Sequence, residues 1–225
     1  MHRQPTELYR LLLAAYGSQH WWPAQTEYEM MVGAILTQNI SWKRVEQAIA
    51  NLGQKLTPEY ILAAPDEDII SDIRPAGYFT AKTRYLKNLT RWYKEAGCDL
   101  SRFRDSDPMA LRRSLLAICG VGRETADSIV LYGAELPVFV IDAYTKRLMT
   151  RLGYKGNLEY DRLRQYFEQS LPRDAAVYQE LHALIVRHCS GCCKAKPLCA
   201  GCPLEGHCPT GIGSAFHCAE SAAGV

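Results

Sequence analysis

The chain has 225 residues, of which 48% are hydrophobic and 22% charged, and its formal net charge is +2. A chain of this length can bury one or two hydrophobic cores without help from disulfides or metals, and so small a net charge neither requires nor excludes a nucleic acid as partner. The sequence has no run of about eighteen apolar residues and no secretory cleavage pattern near its start, so we expect a cytoplasmic protein with no membrane partner.

Helical periodicity runs through the chain, and no stretch shows the two-residue alternation of a strand, so the sequence predicts an all-α fold. Thr26 and Glu29 have the spacing of a capping box and predict a helix that continues to Leu36. After a turn at residues 37–41 a second helix is predicted, which Gly53 ends. Its apolar stripe consists of Val45, Ala48, Ile49 and Leu52.

Residues 80–94 are predicted to form an amphipathic helix that contains no acidic residue. One face is apolar and the other is basic. The apolar face consists of Leu86, Leu89 and Tyr93, and the basic face consists of Arg84, Lys87, Arg91 and Lys94. Two interpretations stay open at this point, because the basic face either binds a polyanion or is an ordinary solvated surface.

Two further helices are predicted around a glycine loop. The first begins at residues 107–108 and runs to Ile118, and helical character resumes over residues 125–132. Between them lies Gly120-Val121-Gly122, where the glycines allow positive φ angles and let main-chain amides approach a phosphate. Glycines also end helices for steric reasons alone, so the loop by itself indicates only a helical hairpin.

Asp142 is a candidate functional residue because of its position. It follows the apolar run at residues 138–141 and precedes a helical pattern from Ala143 to Leu152. A carboxylate in this position either caps the helix or is a functional group beside a buried segment. The two roles are compatible with each other.

The chain has nine cysteines, and five of them lie between Cys189 and Cys202. In a reducing compartment such a cluster indicates metal ligation rather than a disulfide framework. Four thiolates can hold either zinc or an iron–sulfur cluster. A Cys-x-x-Cys pair such as Cys199 and Cys202 favours neither metal by itself.

Three blocks of the sequence resemble the endonuclease III superfamily of helix-hairpin-helix (HhH-GPD) DNA glycosylases. They are Leu115 to Asp127 followed by Val140-Ile141-Asp142, then Gly33 to Asn39, and the C-terminal cysteines. The resemblance covers nearly the whole chain and implies the two-domain all-α fold of that superfamily. We expect a six-helix domain with the hairpin at residues 26–135, a discontinuous helical iron–sulfur domain at residues 1–25 and 136–210, and a flexible tail at residues 211–225.

The resemblance also implies a cofactor. The cysteines that match the superfamily's spacers of six, two and five residues are Cys192, Cys199, Cys202 and Cys208, and they are expected to hold a [4Fe–4S] cluster. Cys189 and Cys193 fall outside this register and are expected to be bystanders. The loops between the ligands would present Lys194 and Lys196 outward, toward phosphates.

The activity implied by the resemblance is removal of a damaged base, with Asp142 as the principal catalytic residue. Superfamily members that also cut the strand carry a lysine after Gly-Val-Gly-Arg, but this chain has Glu124, which cannot form an imine. We therefore expect a monofunctional DNA glycosylase, in which water attacks the anomeric carbon and Asp142 stabilises the oxocarbenium-like transition state or activates that water. Glu124 either attracts a cationic base or is a solvent-facing residue near a helix N-terminus.

The lesion is indicated by residues 20–23, 36–42 and 74–79, which are similar to the branch of the superfamily that excises 3-methyladenine. The similarity implies that an alkylated purine is bound in an aromatic pocket formed by Trp21, Trp22, Pro23 and Trp42. A methylated purine is cationic, stacks well on indole rings and is already a good leaving group. The alternative is that Trp21 and Trp22 anchor an N-terminal helix to the core.

The expected partner is double-stranded DNA with damaged bases, bound by a monomer in a prokaryotic nucleoid. Gln38 and Phe79 are the candidate side chains that fill the space left by an extruded base. The expected phosphate contacts are made by Gly120, Val121, Gly122, Arg123, Arg84, Lys87, Arg91, Lys194 and Lys196.

Other functions are also compatible with the sequence. Two are enzymatic: a bifunctional glycosylase and abasic-site lyase acting on oxidised pyrimidines, and a mismatch-specific uracil or thymine glycosylase. Two are not: a noncatalytic iron–sulfur protein that binds DNA structures, and a zinc-binding interaction module.

Overall fold

The computed structural model describes residues 4–21 and 24–211. Over these residues the chain forms eleven α-helices joined by turns and short helical segments, with no β-strand, which confirms the all-α prediction. The helices are α1 (Pro5–Tyr16), α2 (Glu27–Leu36), α3 (Trp42–Leu52), α4 (Pro58–Ala63), α5 (Asp66–Ile73), α6 (Phe79–Glu95), α7 (Pro108–Leu116), α8 (Arg123–Ser128), α9 (Ala143–Arg151), α10 (Tyr160–Ser170) and α11 (Ala175–Gly191). Within this described part, no helix has both the length and the apolarity needed to cross a membrane.

The chain divides into two compact units. The central unit comprises residues 22–138 and holds helices α2 to α8. The split unit comprises residues 1–21 and 139–225 and holds α1 and α9 to α11. The chain passes from the central to the split unit shortly before Asp142.

Helix α2 lies at the centre of the central unit because it is apolar on almost every side. Thr26 caps it as predicted, since its hydroxyl oxygen accepts a hydrogen bond from the amide of Glu29 at 3.1 Å. Helix α6 packs against α2, α4 and α5. Its buried residues include the predicted apolar face of Leu86, Leu89 and Tyr93.

Helices α7 and α8 form the predicted hairpin, with limits that differ slightly from those expected. Helix α7 ends at Leu116 rather than at Ile118, a difference of the size usual for fraying helix ends. After α8 the chain continues as a buried π-helical segment at Ile129–Gly133. A Cβ atom on Gly133 would lie 2.5 Å from the Leu100 side chain, so this segment packs closely against the core.

In the split unit, α11 packs against α1 and α9. The buried segment at residues 139–141 is irregular and bonds to side chains of α10 instead of to a strand. The amide of Phe139 donates to Oε1 of Glu168 at 3.0 Å, and the amide of Ile141 donates to the hydroxyl of Tyr160 at 3.4 Å. These contacts hold the backbone that leads into Asp142.

Candidate functional site

The hairpin loop is held by α6 within the central unit. Gly120 has φ +99°, and a Cβ atom there would lie 2.2 Å from ring atoms of Tyr85, so only glycine fits against this tyrosine. Asn88, about one turn further along α6, donates to the carbonyl oxygen of Cys119 at 3.1 Å. Gly122 has φ −86° and an added Cβ would meet nothing within 4 Å, so only Gly120 uses the conformational freedom expected of the loop.

A buried ion pair joins the two helices of the hairpin. Nε and Nη2 of Arg112 on α7 lie 2.5 and 3.3 Å from Oδ1 and Oδ2 of Asp127 on α8. Asp127 is completely buried, so removing Arg112 would take a charged hydrogen-bond partner from a carboxylate in the core. The Arg112–Asp127 pair therefore holds α7 and α8 in position relative to each other.

The side chains of the hairpin loop differ in exposure. Val121 is buried and contributes to the core, so only its main chain remains a candidate for contact with DNA. Gly122 and Arg123 are exposed. Glu124 is also exposed, in the first turn of α8.

The turn after α2 is tied to the hairpin by Gln38. Its side-chain amide donates to the carbonyl oxygen of Gly120 and to the hydroxyl of Thr125, both at 3.0 Å. Gln38 is half-buried and already hydrogen-bonded. To fill a gap in DNA it must therefore exchange these two bonds for contacts with bases.

The most exposed aromatic side chain at the start of α6 is Tyr78 rather than Phe79. Tyr78 is 69% exposed and has φ +48°, in the left-handed region. Phe79 is half-buried, and the guanidinium carbon of Arg74 lies 5.3 Å from its ring centre. The sequence did carry a signal for an outward tyrosine, because Gly77 just before it permits a sharp turn at the start of the helix.

Two of the predicted pocket residues are partly exposed indole rings, one in each unit. Trp42 opens α3 and packs on α2, where a Cβ atom added to Gly33 would lie 3.6 Å from its ring. Trp21 belongs to the split unit, and its ring centre lies 6.0 Å from that of His182. Each indole is 37% exposed. The other two predicted pocket residues lie outside the described residues: Trp22 and Pro23.

Asp142 is the N-cap of α9. Its Oδ1 accepts hydrogen bonds from the amide and from the hydroxyl of Thr145, both at 2.7 Å. Its Oδ2 faces α11, where Nε2 of His182 lies 3.6 Å away. The side chain of Asp142 is 13% exposed. Capping therefore uses one oxygen and leaves the other beside His182.

Burial by itself raises the pKa of Asp142, but the contacts with His182 and the two donors of Thr145 lower it further than burial raises it. The pKa of Asp142 consequently lies below its usual value, and the carboxylate is ionised at neutral pH. His182 was missed in the sequence because it stands beside Asp142 only through the packing of α11 on α9. No local pattern marks it.

The two lysines of the basic face of α6 are paired with carboxylates. Lys87 lies 2.5 Å from Asp66, and Lys94 lies 2.9 Å from Glu59. The carboxylates come from α4 and α5, so the acid-free stretch of sequence around the lysines gave no indication of them. Arg84 and Arg91 remain exposed and carry the positive charge of this face.

The four predicted ligand cysteines line one cavity in the split unit. Cys192, Cys199, Cys202 and Cys208 surround about 340 Å³ of space, part of which opens to solvent, and Cys193 also lines it. Across the described residues no three His, Cys, Asp or Glu side chains converge closely enough to hold one metal ion. Thiols around one cavity are the ligands that an iron–sulfur cluster or a zinc ion takes in proteins.

Two arginines of α9 hold the cysteine loop. Arg151 donates to the carbonyl oxygens of Lys194 and Ala195 at 2.6 and 2.8 Å. Arg147 donates to the carbonyl oxygen of Cys193 at 2.9 Å. The loop is thus anchored on the helix that Asp142 caps. The two lysines expected to face phosphates are both exposed on it: Lys194 and Lys196.

The sequence of this chain is similar to that of a known protein family and to those of individual proteins. Residues 32–173 match the profile of the HhH-GPD superfamily of base excision DNA repair proteins. A Methanocaldococcus jannaschii protein provisionally named as a DNA repair glycosylase is 47% identical over 207 residues, which cover 90% of this chain and 94% of that protein. Endonuclease III of Sulfolobus acidocaldarius is 32% identical over 186 residues, covering 80% and 81%.

Solved structures share the fold at lower sequence identity. A non-covalent complex of endonuclease III with DNA has a TM-score of 0.80 and 22% identity, covering 96% of this chain and 100% of that one. A Helicobacter pylori 3-methyladenine DNA glycosylase bound to 1,N6-ethenoadenine has a TM-score of 0.70 and 24% identity, covering 82% and 96%.

Proposed function

The chain belongs to the HhH-GPD superfamily of base excision DNA repair proteins and is a DNA glycosylase of that family, and we propose that it is a monofunctional enzyme for alkylated purines such as 3-methyladenine. One observation carries the monofunctional assignment. Glu124 occupies the first turn of α8, where the strand-cutting members of the superfamily have a lysine. A carboxylate cannot form the Schiff base on which strand cleavage depends.

Asp142 supplies electrostatic stabilisation in the proposed reaction. Water bonds to the anomeric carbon, the glycosidic bond breaks with its electron pair moving to the base, and the proton of the water passes to Asp142 or to solvent. The sugar carries positive charge in the transition state. An ionised carboxylate about 4 Å from that charge, at an effective dielectric constant of about 20, is worth about 4 kcal/mol, or about a thousandfold in rate.

A cationic base is consistent with the ionised state of Asp142. An alkylated purine leaves as a neutral molecule, so the reaction needs no strong general acid. The ionised state of Asp142 is consistent with this, because a carboxylate with a lowered pKa is a poor proton donor at neutral pH. Each unit has an exposed indole ring on which a cation stacks favourably, Trp21 in the split unit and Trp42 in the central unit, and Glu124 adds negative charge to the central unit.

DNA is proposed to bind as a duplex to a monomer of this protein. The main chain of residues 120–122 and the exposed side chains of Arg84, Arg91 and Arg123 are the proposed phosphate contacts of the central unit. Gln38 and an aromatic residue at the start of α6 are proposed to occupy the space of the extruded base. Tyr78 suits this second role better than Phe79, because its ring is already exposed.

A panel of damaged duplexes tests the proposed function. We expect excision from duplexes that carry 3-methyladenine, with the strand left intact until it is treated with hot alkali, and no protein–DNA complex after reduction with borohydride. The measurements are release of the base and gel mobility of the strand. Three further duplexes are measured in the same way: one with an oxidised pyrimidine, one with a U:G pair and one with a T:G pair.

Each alternative gives a different result in this panel. Excision of oxidised pyrimidines with strand cleavage and efficient borohydride trapping would identify a bifunctional enzyme that uses another amine, such as Lys146. Excision confined to the mismatches would identify a mismatch glycosylase. Binding to every duplex without excision from any would identify a noncatalytic protein.

We also propose that Cys192, Cys199, Cys202 and Cys208 hold a [4Fe–4S] cluster with a structural role. A bound cluster would supply four iron–thiolate bonds that crosslink residues 192–208. The chain's own contribution is the pair Arg147 and Arg151, which fix the loop to α9 through its carbonyl oxygens. The loop and the helix capped by Asp142 would then be held as one structure.

Purified protein is expected to be brown, to absorb in the blue part of the visible spectrum and to contain about four iron atoms per chain. Cys199→Ser is expected to lose the absorbance and most of the iron. Cys98→Ser changes an exposed cysteine of the central unit and serves as the control, which should keep both. A colourless wild-type protein that contains one zinc would contradict the cluster.

A further inference from the structure

Lys82 is a lysine buried in the central unit, only 1% exposed. Its Nζ donates to the carbonyl oxygen of Leu36 at 2.7 Å and to that of Ala76 at 2.8 Å. Burial lowers its pKa to about 8. Burying an ammonium group costs free energy that a methionine of similar length would not. Core packing alone therefore does not explain a lysine at this position.

Each of the two acceptor oxygens belongs to the last residue of a helical segment. Leu36 ends α2, and Ala76 ends the short 3₁₀ segment Arg74–Ala76. The final carbonyl groups of a helix have no partner inside the helix and carry partial negative charge, so a cation between two such ends binds both favourably. A single ammonium group thereby joins the ends of two segments that are distant in sequence.

Each of these ends leads directly into a turn with a candidate DNA-inserting side chain. The turn after Leu36 carries Gln38, and the turn after Ala76 carries Tyr78. The turns also touch each other, because a Cβ atom on Gly77 would lie 3.2 Å from Cδ1 of Ile40. Gly77 itself has φ +64°. The distance between the two inserting side chains thus depends on where the two segments end.

We propose that Lys82 is a positioning residue that sets the spacing of Gln38 and Tyr78, so that both enter the DNA together when a base is extruded. This inference rests on the proposed function, since it concerns how the glycosylase reaches a paired base. Lys82 itself touches neither base nor sugar in this role. It acts through the ends of the two segments that it joins.

A positioning role and a purely structural role of Lys82 predict different effects on excision from paired and unpaired lesions. Extruding a paired base costs a few kcal/mol, whereas a lesion with no base opposite it needs little help to leave the stack. Misplaced inserting side chains should therefore slow excision from a stable pair and leave excision from an unpaired site almost unchanged. General loss of stability would slow both equally.

The test measures single-turnover excision of 3-methyladenine placed opposite thymine and opposite an abasic site. Lys82→Met removes both hydrogen bonds at similar volume, and we expect at least a tenfold slower rate on the paired lesion but less than a threefold change on the unpaired one. Lys82→Arg keeps the cation and two donors and should recover part of the rate on the paired lesion. Fluorescence of 2-aminopurine beside the lesion should report slower extrusion by Lys82→Met.

Thr90→Val is the matched control. Thr90 lies on the same helix, is equally buried and bonds to the hydroxyl of Tyr28 at 2.8 Å, away from both turns. It should lower the thermal midpoint while changing the two rates by the same factor. If Lys82→Met does not fold, Lys82→Gln, which keeps two N–H donors on a side chain one bond shorter, serves for the same comparison.

The outcomes separate the two proposals. Equal losses on paired and unpaired lesions in the Lys82 variants would overturn the positioning role alone. A wild-type protein that excises no base from either duplex would overturn the proposed function together with it. A selective loss on the paired lesion, recovered by arginine, would support both.

Discussion

Asp142→Asn is expected to lower the single-turnover rate of base excision by roughly 10² to 10⁴ while leaving DNA affinity within about threefold. The substitution removes the negative charge that is proposed to stabilise the sugar but keeps an oxygen for the amide of Thr145. Asparagine is as good an N-cap as aspartate, so α9 should remain intact. The rate is measured with enzyme in excess over duplex, and affinity is measured by fluorescence anisotropy.

Asp174→Asn is the matched control for this variant. Asp174 caps α11 in the same unit, where it accepts hydrogen bonds from the amides of Ala176 and Val177 at 2.7 and 3.4 Å. It should change neither rate nor affinity. If both variants kept the wild-type rate, Asp142 would be a helix cap and nothing more.

The acid side of the pH profile gives a related expectation. The pKa of Asp142 is held below the ordinary value, so the carboxylate stays ionised at pH values where an unperturbed aspartate is already protonated. Ionisation of Asp142 therefore stabilises the folded state fully at pH values above the pKa that Asp142 has in the unfolded chain. This stabilisation is lost as the pH falls through the lower pKa of the folded state. If activity falls as the pH is lowered just below neutral, the group that becomes protonated must be one other than Asp142.

Gly120→Ala is expected to have the second largest effect, lowering DNA affinity at least tenfold and the free energy of unfolding by about 1–3 kcal/mol. Alanine at φ +99° is strained, and its Cβ atom would lie 2.2 Å from the ring of Tyr85. The tyrosine or the loop must therefore move. Affinity for an undamaged duplex and the urea midpoint are the measurements.

Gly122→Ala separates loop conformation from contact with DNA. At this position φ is −86° and an added Cβ meets no atom within 4 Å, so the free energy of unfolding should stay within about 0.5 kcal/mol of wild type. Affinity should still fall, because the methyl group would stand where a phosphate is proposed to approach. Unchanged affinity in both glycine variants would show that this hairpin does not bind DNA.

The features that the sequence predicted well are encoded within short stretches. The cap at Thr26, the helix-loop-helix around Gly120 and the position of Asp142 before α9 all depend on neighbours in sequence. The cysteine spacing is likewise local, and the structure brings those four side chains to one cavity.

The features that the sequence did not predict depend on packing between distant segments. The sequence around Lys87 gave no indication that Asp66 of another helix pairs with it. His182 reaches Asp142 only because α11 lies against α9. Lys82 was not singled out in the sequence, because the ends of two other segments supply its acceptors.

The preassembled hairpin has a consequence for how the protein moves over a genome. The Arg112–Asp127 pair, the Gln38 bonds and the Tyr85–Gly120 contact order the loop before any nucleic acid arrives. Attachment then requires no local folding, so association should approach the diffusional rate and depend steeply on salt. One molecule can thereby inspect many base pairs within a single encounter.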